Sequence, residues 1–297
     1  MKRPPPQAES SNATEAHNLT AGEAAPRMSN LARRTVTAAV GLPLLALVVW
    51  AGSPWVTVVA AIVAAVGAAE FSAMLSRKGR RPVVIVAALL AAALVVAGHF
   101  VADGRAAYRV VLPVLGAGAS AALAWSAMRR SSAVAGDAGL TAVAALYAGG
   151  LLLFVPLVRA EPDGREWLFL LFIGVFATDI CAYAVGRTVG RHKMAPSISP
   201  GKTWEGAAGG LAGALAGVGI AAWGFGLGLA VWEALVLGAL MAVVGQAGDL
   251  FESKLKRTAG VKDSGRLMPG HGGLLDRLDS ILFNLPMLYL FVLWATR

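Results

Sequence analysis

The chain has 297 residues, of which 57% are hydrophobic and only 14% charged, and its formal net charge is +9. A soluble domain of ordinary composition carries roughly 25% charged residues. The composition therefore excludes an ordinary soluble enzyme, and with it a nucleic-acid-binding domain that would display a basic face from such a body. Abundant glycine, 35 residues, suits helices packed closely in lipid, and the single cysteine, Cys181, excludes a disulfide within the chain.

The expected fold is all-α, a polytopic transmembrane helical bundle. Residues 1–33 are polar, begin with Pro4, Pro5 and Pro6 among the first few positions, and offer nothing to build a core from, which predicts a disordered tail. They lack the apolar stretch of a signal peptide. A bilayer core of about 30 Å needs about 20 apolar residues as helix. Such runs fall near 35–52, 54–75, 82–102, 107–127, 138–158, 166–187, 204–225, 229–247 and 278–296, which makes nine expected spans. Residues 34–160 read as a transmembrane scaffold and 161–297 as the catalytic part, because the chemistry-bearing residues come late. Glu70 and His99, each near a span end, read as interfacial or snorkelling side chains.

The basic loops set the orientation. Arg33 and Arg34 precede the first run; Arg77, Lys78, Arg80 and Arg81 follow the second; Arg129 and Arg130 follow the fourth. Arg187, Arg191, His192, Lys193 and Lys202 follow the sixth, and the segment 248–277 follows the eighth. With nine spans all of these share one side. The N-terminus and the site are then expected in the cytoplasm and the C-terminus outside.

Three places carry polar chemistry. Asp179 lies inside the sixth run with Tyr183 four residues on; a carboxylate within a membrane helix usually faces a polar interior or a partner. Its functional and structural readings are about evenly matched. In SISPGKTWEG, Ser199, Lys202 and Thr203 surround a Pro-Gly turn at the start of the seventh run. Ser and Thr there serve as a helix N-cap, or, with Lys202 beside them, as a phosphate site at a positive helix end. The glycine spacing of a Walker A loop is not met.

The third place, 248–280, interleaves Asp249, Glu252, Asp263, Asp276 and Asp279 with Lys254, Lys256, Arg257, Lys262, Arg266 and Arg277. Asp249 closes the eighth run and Asp276 opens the ninth, so two helix ends can bring them together. Neighbouring carboxylates repel unless a proton or a cation joins them. Mg²⁺ is the natural cation: it takes oxygen ligands, commonly one or two carboxylates plus substrate phosphates. Gly270, Gly272 and Gly273 around His271 allow backbone close to a ligand. A solvated basic loop would explain the lysines and arginines but not the five acids among them.

At these residues the chain resembles the phosphatidate cytidylyltransferases. The resemblance rests on Ser253-Lys254-Leu255-Lys256-Arg257, Lys262-Asp263, Pro269-Gly270-His271-Gly272-Gly273 and Asp276-Arg277-Leu278-Asp279, with Ser199 to Thr203 and Gly248-Asp249 in support. It covers 199–280 and is specific there; the first five spans are similar only in hydropathy. It implies transfer of a cytidylyl group from CTP to phosphatidic acid, giving CDP-diacylglycerol and pyrophosphate for phospholipid biosynthesis. It implies two bound divalent cations, Mg²⁺, one of them replaceable by a monovalent cation, held by Asp249, Asp276 and Asp279. Lys262 and Arg277 join Asp249 and Asp276 as expected catalytic residues. Ser199, Lys202, Thr203, Ser253, Lys256, Arg257, Asp263, Gly270, His271, Gly272 and Gly273 are the expected substrate contacts. The implied partners are the two substrates and membrane lipid, with a homodimer left open and no nucleic acid, and the implied place is a bacterial plasma membrane. The competing readings are a CTP-dependent polyprenol or phytol kinase, which would release CDP, and a secondary transporter, which would place its polar residues near the midplane.

Overall fold

The computed structural model describes residues 30–76, 79–102, 106–128, 133–265 and 272–296. The expected tail is therefore almost wholly outside the described residues. So are Arg77, Lys78, Arg129, Arg130 and residues 266–271, which include Arg266, Gly270 and His271.

Helix dominates because a segment in lipid must satisfy its backbone N–H and C=O groups internally. In chain order the elements are α1 (Asn30–Ala51), α2 (Trp55–Ser76), α3 (Val84–Ala102), α4 (Ala107–Met128), α5 (Val134–Ala145), a π turn (Leu146–Gly150) and α6 (Phe154–Ala160). Then come α7 (Gly164–Thr188), β1 (Lys193–Ala195), β2 (Ser199–Thr203), α8 (Trp204–Gly224), α9 (Val231–Thr258), a 3-10 turn (Leu275–Arg277) and α10 (Asp279–Ala295). Helix stands at each expected run, and α5, the π turn and α6 together make the fifth. By length and composition, seven helical stretches are long and apolar enough to cross a membrane; Ala39–Ala51 and Asp279–Ala295 are apolar but shorter. The chain is an all-α, polytopic membrane protein.

Two features differ from the sequence expectation. The eighth run was expected to end near 247, with a loop after it, yet α9 continues to Thr258. Between Gly248 and Gly260 the chain has neither glycine nor proline, so nothing stops the helix earlier. Gly260 stops it by adopting φ of 73°, and the Val261 N–H returns to the Lys256 carbonyl at 2.9 Å. Asp249, Ser253, Lys256 and Arg257 therefore sit on a helix. The second difference is a small antiparallel hairpin, β1 with β2, where only a turn was expected.

Small residues set the packing of the late helices. α7 and α8 form the most extensive helix pair. A Cβ on Gly213 of α8 would lie 2.7 Å from the Cys181 sulfur, and one on Gly217 would lie 2.8 Å from the Ala177 Cβ. Glycine thus lets these two backbones approach. α9 packs on α8 and on α10, and α2 with α3 forms the other large pair. Leu94, Leu168, Leu171 and Leu285 fill the interior between them. The C-terminal ends of α7 and α9 and the N-terminal ends of α8 and α10 meet at one end of the bundle. The C-terminal part of α2 reaches the same end.

Candidate active site

At that end a cavity of about 470 Å³ opens among α7, the hairpin, α8, α9 and the segment entering α10. Asp249 and Asp276 both line it, as do Asp179, Lys202, Thr203, Arg277 and Asp279. Asp179 lies roughly two and a half turns, about 14 Å, inside α7 from its end at Thr188, so the cavity reaches well into the bundle. Gln246 lines the wall one turn before Asp249 and its amide approaches the Ala207 carbonyl at 3.4 Å.

The hairpin delivers Lys202. Its ammonium pairs with Asp249 Oδ2 at 2.6 Å, and a group with three donors keeps others for a ligand. Asp249 Oδ1 accepts from Ser253 Oγ at 3.3 Å, one turn along α9. Thr203 is buried and caps α8: its hydroxyl accepts from the Gly206 N–H at 3.1 Å. Ser199 and Gly201 lie on the cavity wall with it.

Asp276 is set in a different environment. Its Oδ2 accepts from the N–H groups of Ser264 (2.9 Å) and Gly273 (2.8 Å), and its Oδ1 from the Lys256 ammonium (2.7 Å). Burial raises its pKa, but these donors together overcome burial and hold the carboxyl below the ordinary carboxylate value. Gly272, with φ of 85°, supplies the backbone turn that brings the Gly273 N–H round.

Lys256 does not line this cavity directly. It is buried on α9 between Asp276 and Glu252, whose Oε1 lies 3.2 Å away. Glu252 is only 1% exposed and its other oxygen accepts from the Tyr147 hydroxyl at 3.2 Å. Tyr147 is carried by the π turn and stacks on Phe71 of α2 with ring centroids 5.0 Å apart. This buried chain, Tyr147–Glu252–Lys256–Asp276, joins the early helices to the site.

Other expected residues fall elsewhere. Arg257 is exposed and donates to the Ile198 carbonyl (3.2 Å) and the Val261 carbonyl (3.3 Å), bracing the hairpin against the end of α9. Lys262 and Asp263 line a second cavity of about 760 Å³ against α2, on the far side of the Asp276 turn. Lys254 is exposed, as a solvated side chain should be. Glu70 is not an interfacial side chain. It lies over the Gly272–Asp276 turn, and its carboxylate accepts from the N–H groups of Leu274 and Leu275 at 3.0 Å each. His99 lies near the Ser53 hydroxyl, with its Nδ1 3.3 Å away.

Four carboxylates thus face one cavity with Lys202 and Arg277 among them. Among the described residues no three acids gather closely enough to form a ready-made metal cage. A cavity of this kind, acidic and basic at once and set among apolar helices, has the chemistry to receive a phosphate-bearing ligand.

The sequence matches the family described as the Cytidylyltransferase family over residues 32–295, and the chain belongs to that family. Among its relatives, the phosphatidate cytidylyltransferase of Brucella suis biovar 1 (strain 1330) is 47% identical over 154 residues, 52% of this chain and 57% of the relative. The phosphatidate cytidylyltransferase of Staphylococcus saprophyticus is 41% identical over 152 residues, 51% of this chain and 58% of the relative. That of Mycobacterium bovis is 42% identical over 146 residues, 49% of this chain and 47% of the relative. The chain spans about half the length of the curated relatives it matches.

Proposed function

We propose that this protein is a phosphatidate cytidylyltransferase, which joins CTP and phosphatidic acid to give CDP-diacylglycerol and pyrophosphate. The observation that carries the reading is the shared cavity: Asp249 from α9 and Asp276 from the turn before α10 line one wall system with Lys202 and Arg277. Family membership and the names of the relatives support it.

The donor set fits Mg²⁺. Asp249 and Asp276 would hold it, two ions in all, with Asp279 lining the same cavity. Carboxylates without a complete cage suit a cation whose shell is finished by water and substrate phosphates. When bound, such ions supply charge neutralisation to the reacting phosphates. The chain's own residues do the rest. Lys202, with donors to spare, and Arg277 bind the triphosphate and stabilise negative charge on the departing pyrophosphate. The hairpin orients the nucleotide against the α8 terminus. An oxygen of the lipid phosphate forms the new bond to the α-phosphorus, and the bond to the β-phosphate oxygen breaks. A phosphate monoester is already ionised near neutral pH, so no strong base is needed and Asp179 need only line the cavity.

The basic loops favour a cytoplasmic setting for this end of the bundle, in a bacterial plasma membrane and at headgroup level, where the lipid phosphate would lie. The test is turnover by purified protein in lipid nanodiscs containing phosphatidic acid. Pyrophosphate and CDP-diacylglycerol should appear with CTP and Mg²⁺ and vanish with chelator, and Asp276→Asn should lose activity by at least about 100-fold. Release of CDP would point instead to phosphoryl transfer to an alcohol. Wild-type rates in Asp276→Asn would remove Asp276 from the centre.

A further inference from the structure

We propose that Glu70, on α2, is a positioning residue for Asp276: it fixes the turn from which that carboxylate reaches the cavity. The proposal rests on the enzymatic reading above and deepens it by assigning part of the site to the early helices.

Glu70 makes three hydrogen bonds to the segment around the site. Oε1 accepts from the Leu274 N–H, and Oε2 accepts from the Leu275 N–H and from Ser264 Oγ at 3.2 Å. Asp276 Oδ2 accepts from the neighbouring N–H groups of Ser264 and Gly273. Two carboxylates therefore clamp the same two strands of chain, Ser264 on one side and 273–275 on the other. Glu70 grips from α2 and Asp276 from within the turn.

The surrounding residues leave room for this grip and for little else. A Cβ on Gly265 would collide with Glu70 Oε1, and one on Gly273 would lie 2.6 Å from Glu70 Oε2. One turn earlier on α2, a Cβ on Gly67 would lie 3.1 Å from Leu275 Cδ2, and Leu275 is almost fully buried there. Three glycines and one leucine thus seat the turn on α2 in a single arrangement.

The chemistry of the acceptor makes the proposal testable. Both Glu70 oxygens face N–H donors. Glutamine keeps one oxygen but turns an NH₂ toward the other donor, so Glu70→Gln converts one bond into a donor–donor contact with almost no change in volume. Groups that orient a metal ligand typically cost 10- to 100-fold in metal affinity or activity when altered.

The experiment uses full-length wild type, Glu70→Gln and Gly273→Ala in nanodiscs containing phosphatidic acid. It measures hydrogen exchange across 258–280 and CTP turnover over a Mg²⁺ titration. We expect faster exchange confined to that segment, with α8 protection unchanged, and a half-activating Mg²⁺ concentration raised about 10- to 100-fold in both variants. Wild-type exchange in Glu70→Gln would overturn the proposal. So would raised exchange with the wild-type Mg²⁺ midpoint and turnover, because that outcome leaves Glu70 a structural group only. If the wild type itself consumes no CTP, the enzymatic reading fails, and the exchange comparison alone then judges whether Glu70 holds the turn.

Discussion

The two flanks of the cavity are fastened by different means. The hairpin flank, Ser199–Thr203, is held chiefly by its sequence neighbours, with Arg257 and Asp249 of α9 reaching it as well. Thr203 caps α8 through Gly206, the Trp204 N–H reaches the His192 carbonyl at 2.9 Å, and Glu205 accepts from the Arg191 N–H only 14 residues away. The turn flank, Gly272–Asp279, is held from a distance. Glu70 reaches Leu274 and Leu275 across 204 and 205 residues of sequence, and Tyr147 reaches Glu252 across 105. A locally built flank survives the loss of one member, because the rest of the hairpin still closes. A remotely built flank needs three parts of the fold in place at once.

The largest effect should therefore come from the ion group beneath the turn. Lys256 is the only cation that the structure shows between the Glu252 and Asp276 carboxylates, among the described residues. Lys256→Ala leaves two acids facing each other, one of them almost fully buried. Removing one partner from such a group typically costs about 3–5 kcal/mol, because the remaining charge is left unpaired. Thermal unfolding in detergent should show this loss, and CTP turnover should fall with it. A variant that unfolds with the wild type would show that the turn is not held through this group, and the contrast between the flanks would collapse.

The same contrast explains what could be read from sequence. The nine apolar runs, the meeting of Asp249 with Asp276 at one cavity, and the capping option at Thr203 depend on patterns within a short stretch of chain. Glu70 and Tyr147 do not. Each is the one ionisable residue of its element, α2 or the π turn, and its role is created only when the two pack against the end of α9. The signal for Glu70 was present, an acid at a span end beside Phe71, but a snorkelling side chain gives the same signal. The overrun of α9 to Thr258 was legible in principle. The absence of glycine and proline up to Gly260 favours helix, yet the density of charge pointed to a loop. The ion pairing of Lys256 goes unread for a related reason: only once Asp249 to Arg257 are helical do i and i+4 bring Lys256 beside Glu252.

A smaller effect is expected on the hairpin flank. Thr203→Val keeps the branched shape and the extended backbone at φ of −129°, and removes only the hydroxyl that accepts from Gly206. Loss of an N-cap acceptor typically costs about 1 kcal/mol. Melting should drop by that amount, with turnover retained to within several-fold. A loss of activity much larger than the loss of stability would mean that the hydroxyl contacts substrate as well, and this flank would then be more than a local frame.

The smallest effect belongs to Lys254, two residues before Lys256 on the same helix. Lys256 is buried against Glu252, while Lys254 is exposed. Two residues is about 200° of helix rotation, so the two lysines point to opposite sides. Alanine is at least as good a helix former as lysine, and an exposed substitution away from any network usually stays within about 0.5 kcal/mol. Lys254→Ala should therefore unfold with the wild type and turn over CTP at the wild-type rate. If activity falls while stability holds, Lys254 reaches a phosphate or an anionic headgroup from outside the cavity. The chemistry would then extend beyond the wall formed by Asp249 and Asp276, onto the face of α9 that looks away from Glu252.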